Sequence, residues 1–422
     1  MRAQVLAFVL TGPLALGGCG KKADDPQATA VLSPQQIVAR QVERLATSAA
    51  VHNPFYNPIA SPAPVLVTGT LTAGVTVAYA AASAGSLVSS APFAYWGGTP
   101  LIYAGTYVRF PAATISSTDG NTGGGMQGTM WRVAMRTNSP LVSIGVLGGY
   151  KYRILVDDTY VSKTTTGVLG VGGLQYLNLD FTNAGGARPR TIQVEGAQAG
   201  GFSGVSVAPS YNVWMPPATP KIVFVGDSFS TGTGATFDGN GLVRVVGDYL
   251  GVGNIVAAGV GGTGYVIAPV NTYNFAQRLS DWTTKSPDIV MFAGGFNDAD
   301  DTALQPAVLS LLQSTRAALP NAILLVYGVW SGSTGPNAAV LSKENKISAA
   351  VTAFNDTNTR FIAMATATDG AWVTGTGYTG APSGTGNSNL VTSTDRVHPT
   401  DYGHSYLGVR IANSALAALG TF

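Results

Sequence analysis

The sequence of 422 residues is short of charge, of cysteine and of histidine, and each shortage excludes something. Only 10% of its residues are charged and the formal net charge is +2. A field that weak gives no basic surface for a nucleic-acid backbone, and no nucleic-acid partner is expected. Cys19 is the single cysteine, so no disulfide can form within the chain. Three histidines, with no cysteine beside them, offer no zinc-ligand spacing, and neither a metal nor a cofactor is expected. Beyond the leader, no apolar run approaches the roughly 20 residues that a membrane-crossing helix needs. What the chain has in quantity is glycine, 54 residues, set among apolar alternations, which indicates turn-rich globular structure rather than disorder.

The first residues, "MRAQVLAFVLTGPLALGGCG", place Arg2 before a short apolar stretch and then small residues before Cys19. Leu16-Gly17-Gly18-Cys19 resembles a bacterial lipobox, whose cysteine is lipidated and becomes the mature N-terminus; the alternative is a secretory signal whose cysteine is incidental. The expectation is a lipoprotein signal over residues 1–19, a tether over 20–64, and export to a membrane-anchored position. Within the tether, "SPQQIVARQVERLATSAA" predicts one helix, with Ser33 as cap and Pro34 at its first position. "NPFYNPIASPAP" forbids regular structure, and His52 is expected to be a solvated loop residue.

Residues 65–216 alternate with period two. "GTMWRVAMRT" sets Trp131, Val133 and Met135 against Arg132, Ala134 and Arg136; "LQYLNLDF" sets Leu177, Leu179 and Phe181 against Asn178 and Asp180. "VDDT" is expected to be a hairpin turn. Short strands broken by Gly, Asn and Asp predict an antiparallel β-sandwich, jelly-roll-like, closed by the stiff linker "WMPPATP". From residue 220 to 422 the texture changes. Runs apolar on both faces, such as "KIVFVGD", "GNIVAAG", "DIVMFAGG" and "AILLVYGVW", alternate with helix-like segments. That pattern predicts an α/β domain with a parallel, flavodoxin-like sheet covered on both sides, and a ligand site at the carboxyl ends of its strands.

Four stretches fall at that edge. "GDS" at Ser228 reads equally as a turn, a helix cap, a nucleotide loop or a nucleophile. "AAGVGGTGY" carries Gly259, Gly261 and Gly264 in a G-x-G-x-x-G pattern, but no acidic residue ends the following strand; the other use of such glycines is to turn N–H groups toward an anion. "MFAGGFND" delivers Asn297 and Asp298 just past a buried strand, as an Asn-Asp turn or as an amide donor. "TDRVHPTDYGH" sets Asp395 three residues before His398, with Pro399 holding the histidine outside the helix that follows. Together these supply what acyl transfer from an ester demands: a hydroxyl, a base beside it, an acid to orient the base, and donors for an oxyanion.

The ordered set of Gly226-Asp227-Ser228, Gly262, Asn297 and Asp395-x-x-His398-Pro399 resembles the four blocks of the SGNH (GDSL-type) hydrolases. The resemblance implies Ser228 as nucleophile, His398 as general base and Asp395 as its partner. It also implies an oxyanion hole formed by the Ser228 and Gly262 amides and the Asn297 side chain. Ala257 departs from the asparagine that many members carry at the start of the second block. A β-sandwich ahead of such a domain resembles two-domain carbohydrate acetylesterases, which implies O-acetyl groups on a glycan as substrate. A lipase or lysophospholipase, an acyltransferase, and a non-catalytic surface binding protein are the alternatives.

Other residues are read more plainly. His404 is expected to be structural or at the surface. "NDADD", with Asp298, Asp300 and Asp301, is expected to be a solvated acidic loop rather than a calcium site. Trp330 in "GVWSGSTGPN" and Tyr378 in the long loop before Asp395 are expected to rim the substrate site.

Overall fold

The structure is a computed structural model that describes residues 32–49, 62–109, 131–162, 164–196 and 200–422. Cys19, His52 and the leader lie outside the described residues.

Two antiparallel sheets pack face to face ahead of the parallel sheet. In the first, Leu141–Leu147 lies between Leu174–Asp180 and Gly201–Val207. In the second, Arg190–Gly196 lies between Tyr152–Val156 and Trp131–Thr137. Their inner faces meet in one apolar cluster holding Trp131, Val133 and Met135 with Leu177, Leu179 and Phe181, the residues the alternation selects. The "VDDT" turn is a hairpin, with Asp157 and Asp158 at φ 47° and 62°. The opposite face of Trp131–Thr137 is not solvated, however. Arg132 is 3% exposed because the second domain covers it. Arg132 Nη2 reaches Asp248 of that domain at 2.7 Å, and Arg153 donates to the Gly239 carbonyl at 3.1 Å.

In the second domain, strands β1 (Ile222–Gly226), β2 (Ile255–Gly259), β3 (Ile289–Ala293), β4 (Ile323–Tyr327) and β5 (Thr359–Ile362) are all parallel, in the order 2-1-3-4-5. Helix α1 (Pro34–Ala49) precedes the sandwich in the chain; α2 (Leu242–Tyr249), α3 (Leu304–Ala318), α4 (Ala338–Phe354) and α5 (Asp401–Leu419) belong to the parallel-sheet domain. Alternate strand residues enter opposite clusters. Ile222, Phe224 and Met291 pack with α2 and α5, while Val223, Val225 and Phe292 pack with α3 and α4. That two-sided burial is why the strands read as unbroken apolar runs. The order reverses between β1 and β3, where open α/β sheets place their ligands.

Part of the expected tether is instead docked. Helix α1 begins at Pro34, as its cap predicts, but buries Ala39 and Val42 in the cluster that holds Leu407 and Ile411 of α5. Gln35 also donates to the Asn321 carbonyl at 3.0 Å. Its apolar stripe is long enough to pack, and the parallel-sheet domain offers the partner.

Candidate active site

β1, β2 and β3 end level, with Gly226 paired to Gly259 on one side and Ala293 on the other. A side chain at Gly226 would meet the Ala293 carbonyl and Ser230 Oγ, each at 2.8 Å from its Cβ. The chain then leaves β1 through a tight turn rather than directly into a helix. Ser230 and Thr231 amides both donate to the Asp227 carbonyl, and Asp227 Oδ1 accepts from the Phe229 amide at 3.0 Å. Thr233 N–H and Thr231 Oγ1 close on the Ser228 carbonyl. With both flanks fixed, Ser228 stands half-buried at the sheet edge.

His398 comes from 170 residues away in sequence, and its Nε2 lies 2.8 Å from Ser228 Oγ. Its Nδ1 lies 2.5 Å from Asp395 Oδ2, while Oδ1 of that carboxylate accepts from the Val397 and His398 amides and from Ser393 Oγ. Partial burial pushes the Asp395 carboxyl up, but the hydrogen bonds from His398, Ser393 and the two amides outweigh it. Its pKa is held well below the usual carboxylate range. The imidazole face packs on Phe229, with ring centres 5.4 Å apart. An imidazole oriented in this way can take a proton from Oγ and keep the resulting charge beside a carboxylate.

On the other side of Ser228, Gly261 stands with its Cβ position 3.7 Å from Ser228 Cβ. Gly262 follows at φ +75°, a left-handed turn that aims its amide away from the strand. Among the described residues, neither the Ser228 amide nor the Gly262 amide meets an acceptor. Asn297 Nδ2 donates to the Thr263 carbonyl at 3.0 Å and approaches Asp227 Oδ2 at 3.3 Å. Burial pushes the Asp227 carboxyl up to about 7, with the nearby Asp298 adding to the rise. Two unclaimed amides and an amide side chain held by Thr263 and Asp227 thus stand on the loops around the Ser228 turn.

Several side chains differ from the sequence-based expectations. Asp298 is not part of a solvated loop: it is buried and accepts from the amides of Tyr265, Val266 and Ile267 at 2.8–3.0 Å. This fastens the loop after the glycine turn, and Gly264 is bare because a Cβ there would lie 2.3 Å from Asp298 Oδ2. Trp330 is not a rim residue. It is 5% exposed, packs on Phe229, and donates Nε1 to the Val397 carbonyl at 3.0 Å, so it braces the histidine loop from inside. Tyr378 is half-buried at the surface and holds Arg396 through its hydroxyl and ring. His404, by contrast, takes the structural role expected of it: it is fully buried, accepting from the Leu242 amide and bonded to the Thr233 carbonyl. Ala257 lies in the apolar cluster, while Arg278 ties the strand ends by donating to the Gly226 and Ala258 carbonyls. Glu344 of α4 takes the amides of Val329, Met364, Ala365 and Thr366, pinning the loops after β4 and β5. Nothing in the sequence marks Arg278 or Glu344, each set among polar neighbours in "QRLSD" and "SKENK".

Residues 224–406 match the model of the GDSL-like lipase/acylhydrolase family. No curated protein matches the chain by sequence. Among solved structures, the chain is similar to a salicylyl-acyltransferase, SsfX3, from a tetracycline biosynthetic pathway: TM-score 0.57, 14% identity, 79% of this chain and 97% of the other. It is also similar to a family two carbohydrate esterase from Cellvibrio japonicus: TM-score 0.54, 10% identity, 84% and 99% covered. A third is the acetyl xylan esterase Est2A from the rumen bacterium Butyrivibrio proteoclasticus: TM-score 0.50, 14% identity, 82% and 100% covered. At such identities the likeness is one of fold, and it extends over both domains. The family match identifies residues 224–406 as a GDSL-like lipase/acylhydrolase domain, set behind a sandwich in a two-domain fold shared with these esterases.

Proposed function

We propose that the protein is an exported esterase that removes O-acetyl groups from a carbohydrate. The observation that carries this reading is the row of Ser228 Oγ, His398 and Asp395, closed by contacts of 2.8 and 2.5 Å. In the first step Ser228 Oγ attacks the ester carbonyl carbon while His398 Nε2 takes its proton. Negative charge gathers on the carbonyl oxygen, where the Ser228 and Gly262 amides donate and Asn297 Nδ2 turns the hydrogen of its longer contact, that to Asp227, onto the oxyanion. The C–O bond to the sugar breaks as His398 returns the proton to the departing hydroxyl, leaving an acetyl ester on Ser228. Water, deprotonated by the same histidine, then cleaves that ester and releases acetate. Asp395 keeps Nδ1 protonated throughout and steadies the imidazolium.

The sugar substrate is supported by the architecture shared with carbohydrate esterases, and export by the Leu16–Cys19 sequence with a single cysteine. Purified protein, compared with Ser228→Ala, should hydrolyse p-nitrophenyl acetate, and acetate release from acetylated polysaccharides should exceed hydrolysis of long-chain esters. Equal rates for the two proteins would remove the enzymatic reading; preference for long acyl chains would remove the acetyl one. Expression in a bacterial host should place the wild type in the membrane fraction and Cys19→Ser outside it.

A further inference from the structure

A concave surface lies beside the His398 loop. Gly234, Thr236, Thr379, Leu390, Asp401 and Tyr402 line an open groove of roughly 610 Å³, within the size range of small-molecule sites. Its wall packs on the histidine loop, since a Cβ at Gly234 would lie 3.3 Å from His398 Cβ and against the Pro399 carbonyl.

Its lining is amphipathic and without free charge. Leu390 and Tyr402 are 62% and 52% exposed, large apolar surfaces left in solvent along the same groove. The one carboxylate, Asp401, is engaged: Oδ1 accepts from the Thr236 amide at 2.8 Å, and Oδ2 accepts from Thr236 Oγ1 at 2.5 Å and Asn240 Nδ2 at 3.3 Å. Among the described residues, no cation lines the groove to hold a phosphate or an acidic sugar. An alkyl chain would cover the threonine hydroxyls and the Asp401 carboxylate without replacing their solvent. A neutral sugar ring matches both parts, with its C–H face on the Tyr402 ring and its hydroxyls toward the threonines. The walls are stiff: Thr400 caps α5 through the Gly403 amide, and Asn389 holds the Ser383 amide beside Leu390. We infer that this groove is a subsite for an uncharged sugar residue of the substrate glycan, next to the acetylated residue that Ser228 attacks. The inference rests on the carbohydrate-ester reading and adds where the chain of the polymer runs.

The test uses Ser228→Ala protein in affinity electrophoresis through gels containing acetylated xylan or acetylated glucomannan. Retardation by either polymer is expected, with Tyr402→Ala abolishing it and Tyr402→Phe, which keeps the ring, retaining it. In the active protein Tyr402→Ala should raise KM for the retarding polymer about tenfold, the worth of one stacked ring. Its kcat/KM on p-nitrophenyl acetate should stay within about twofold, which also reports an intact fold. If neither polymer retards the protein, or Tyr402→Ala is retarded as strongly as its parent, the subsite does not exist. Loss of the esterase reading would appear separately, as no hydrolysis of p-nitrophenyl acetate by the wild type.

Discussion

Asp395 grips His398 at two points: Oδ2 meets the ring at Nδ1, 2.5 Å away, while Oδ1 accepts from the same residue's backbone amide at 2.9 Å. One carboxylate therefore fixes both the position of the loop and the tautomer of the ring. Asp395→Asn keeps the shape but presents an amide that can leave the proton on the wrong nitrogen. The expected fall in kcat is on the order of 10³–10⁴. Ser393→Ala removes one donor to that carboxylate and should cost only about tenfold or less. Steady-state kinetics on p-nitrophenyl acetate separate the two; a loss under tenfold for Asp395→Asn would show that another group orients the imidazole.

Asn297 is the one side chain among the proposed oxyanion donors, so it can be removed without touching the backbone. Asn297→Ala should lower kcat by about 10²–10³ and leave KM nearly unmoved, because the developing charge exists only in the transition state. Asp227→Asn tests the same donor indirectly. It exchanges the Oδ2 acceptor at 3.3 Å from Asn297 Nδ2 for a group that can present hydrogens, and a loss of about tenfold in kcat is expected. A change confined to KM would place Asn297 on the substrate rather than on the oxyanion.

How much of this was legible in the sequence follows from what each residue's neighbours are. Ser228, His398 and Asp395 were readable because each stands beside a local signal: an apolar strand ending, a three-residue spacing, a proline before a helix. The parallel sheet was readable because burial on both faces erases alternation in "KIVFVG" and "DIVMFA". Trp330 was misplaced because a strand-end position says nothing of whether a ring turns outward or, as here, inward against Phe229. Asp298 was misread since its acidic neighbours suggested water, whereas three amides that face it come from a loop more than 30 residues earlier. The alternation sets Arg132 on the face opposite Trp131 and goes no further, because the period of a strand reports its own sheet only. The cover over that face comes from Asp248, which no local pattern could announce.

That cover makes a prediction about stability. Glu195 lies fully buried between Arg132 and Arg153, at 2.6 and 2.8 Å, and Tyr160 carries the cluster on to Asp248 of α2. Burial pushes the Glu195 carboxyl up, but the two guanidinium groups outweigh that and hold it low, at about 2. Glu195→Ala would leave two buried guanidinium groups with less than their share of negative charge. A destabilisation of about 3–5 kcal/mol is expected, read as a lower midpoint in urea. Substitution of Arg188, whose bridge to Asp157 is largely exposed, should move the midpoint by less than about 1 kcal/mol. Equal shifts would mean that the cluster does not hold the two domains together.

His404 supplies the pH dependence. It is fully buried in α5, where its ring accepts from the Leu242 amide and meets the Thr233 carbonyl, and the Thr233 amide in turn closes on the Ser228 carbonyl. Burial pushes its pKa down from 6.5 to about 4, partly offset by the Thr233 carbonyl and by Asp401. The folded state therefore prefers the neutral ring. The stability tied to it is complete above the unfolded value near 6.5 and is lost as pH falls from there toward 4, on the order of 3 kcal/mol in all. Urea midpoints measured between pH 7 and pH 4 should fall accordingly in the wild type. His404→Gln, which keeps an acceptor and a donor but cannot take up a proton, should lose part of its stability at pH 7 and show a shallower decline. Parallel declines in the two proteins would assign the acid sensitivity to the carboxylates. A steeper one in the wild type would tie the integrity of the Ser228 turn to the charge of a histidine that never meets the substrate.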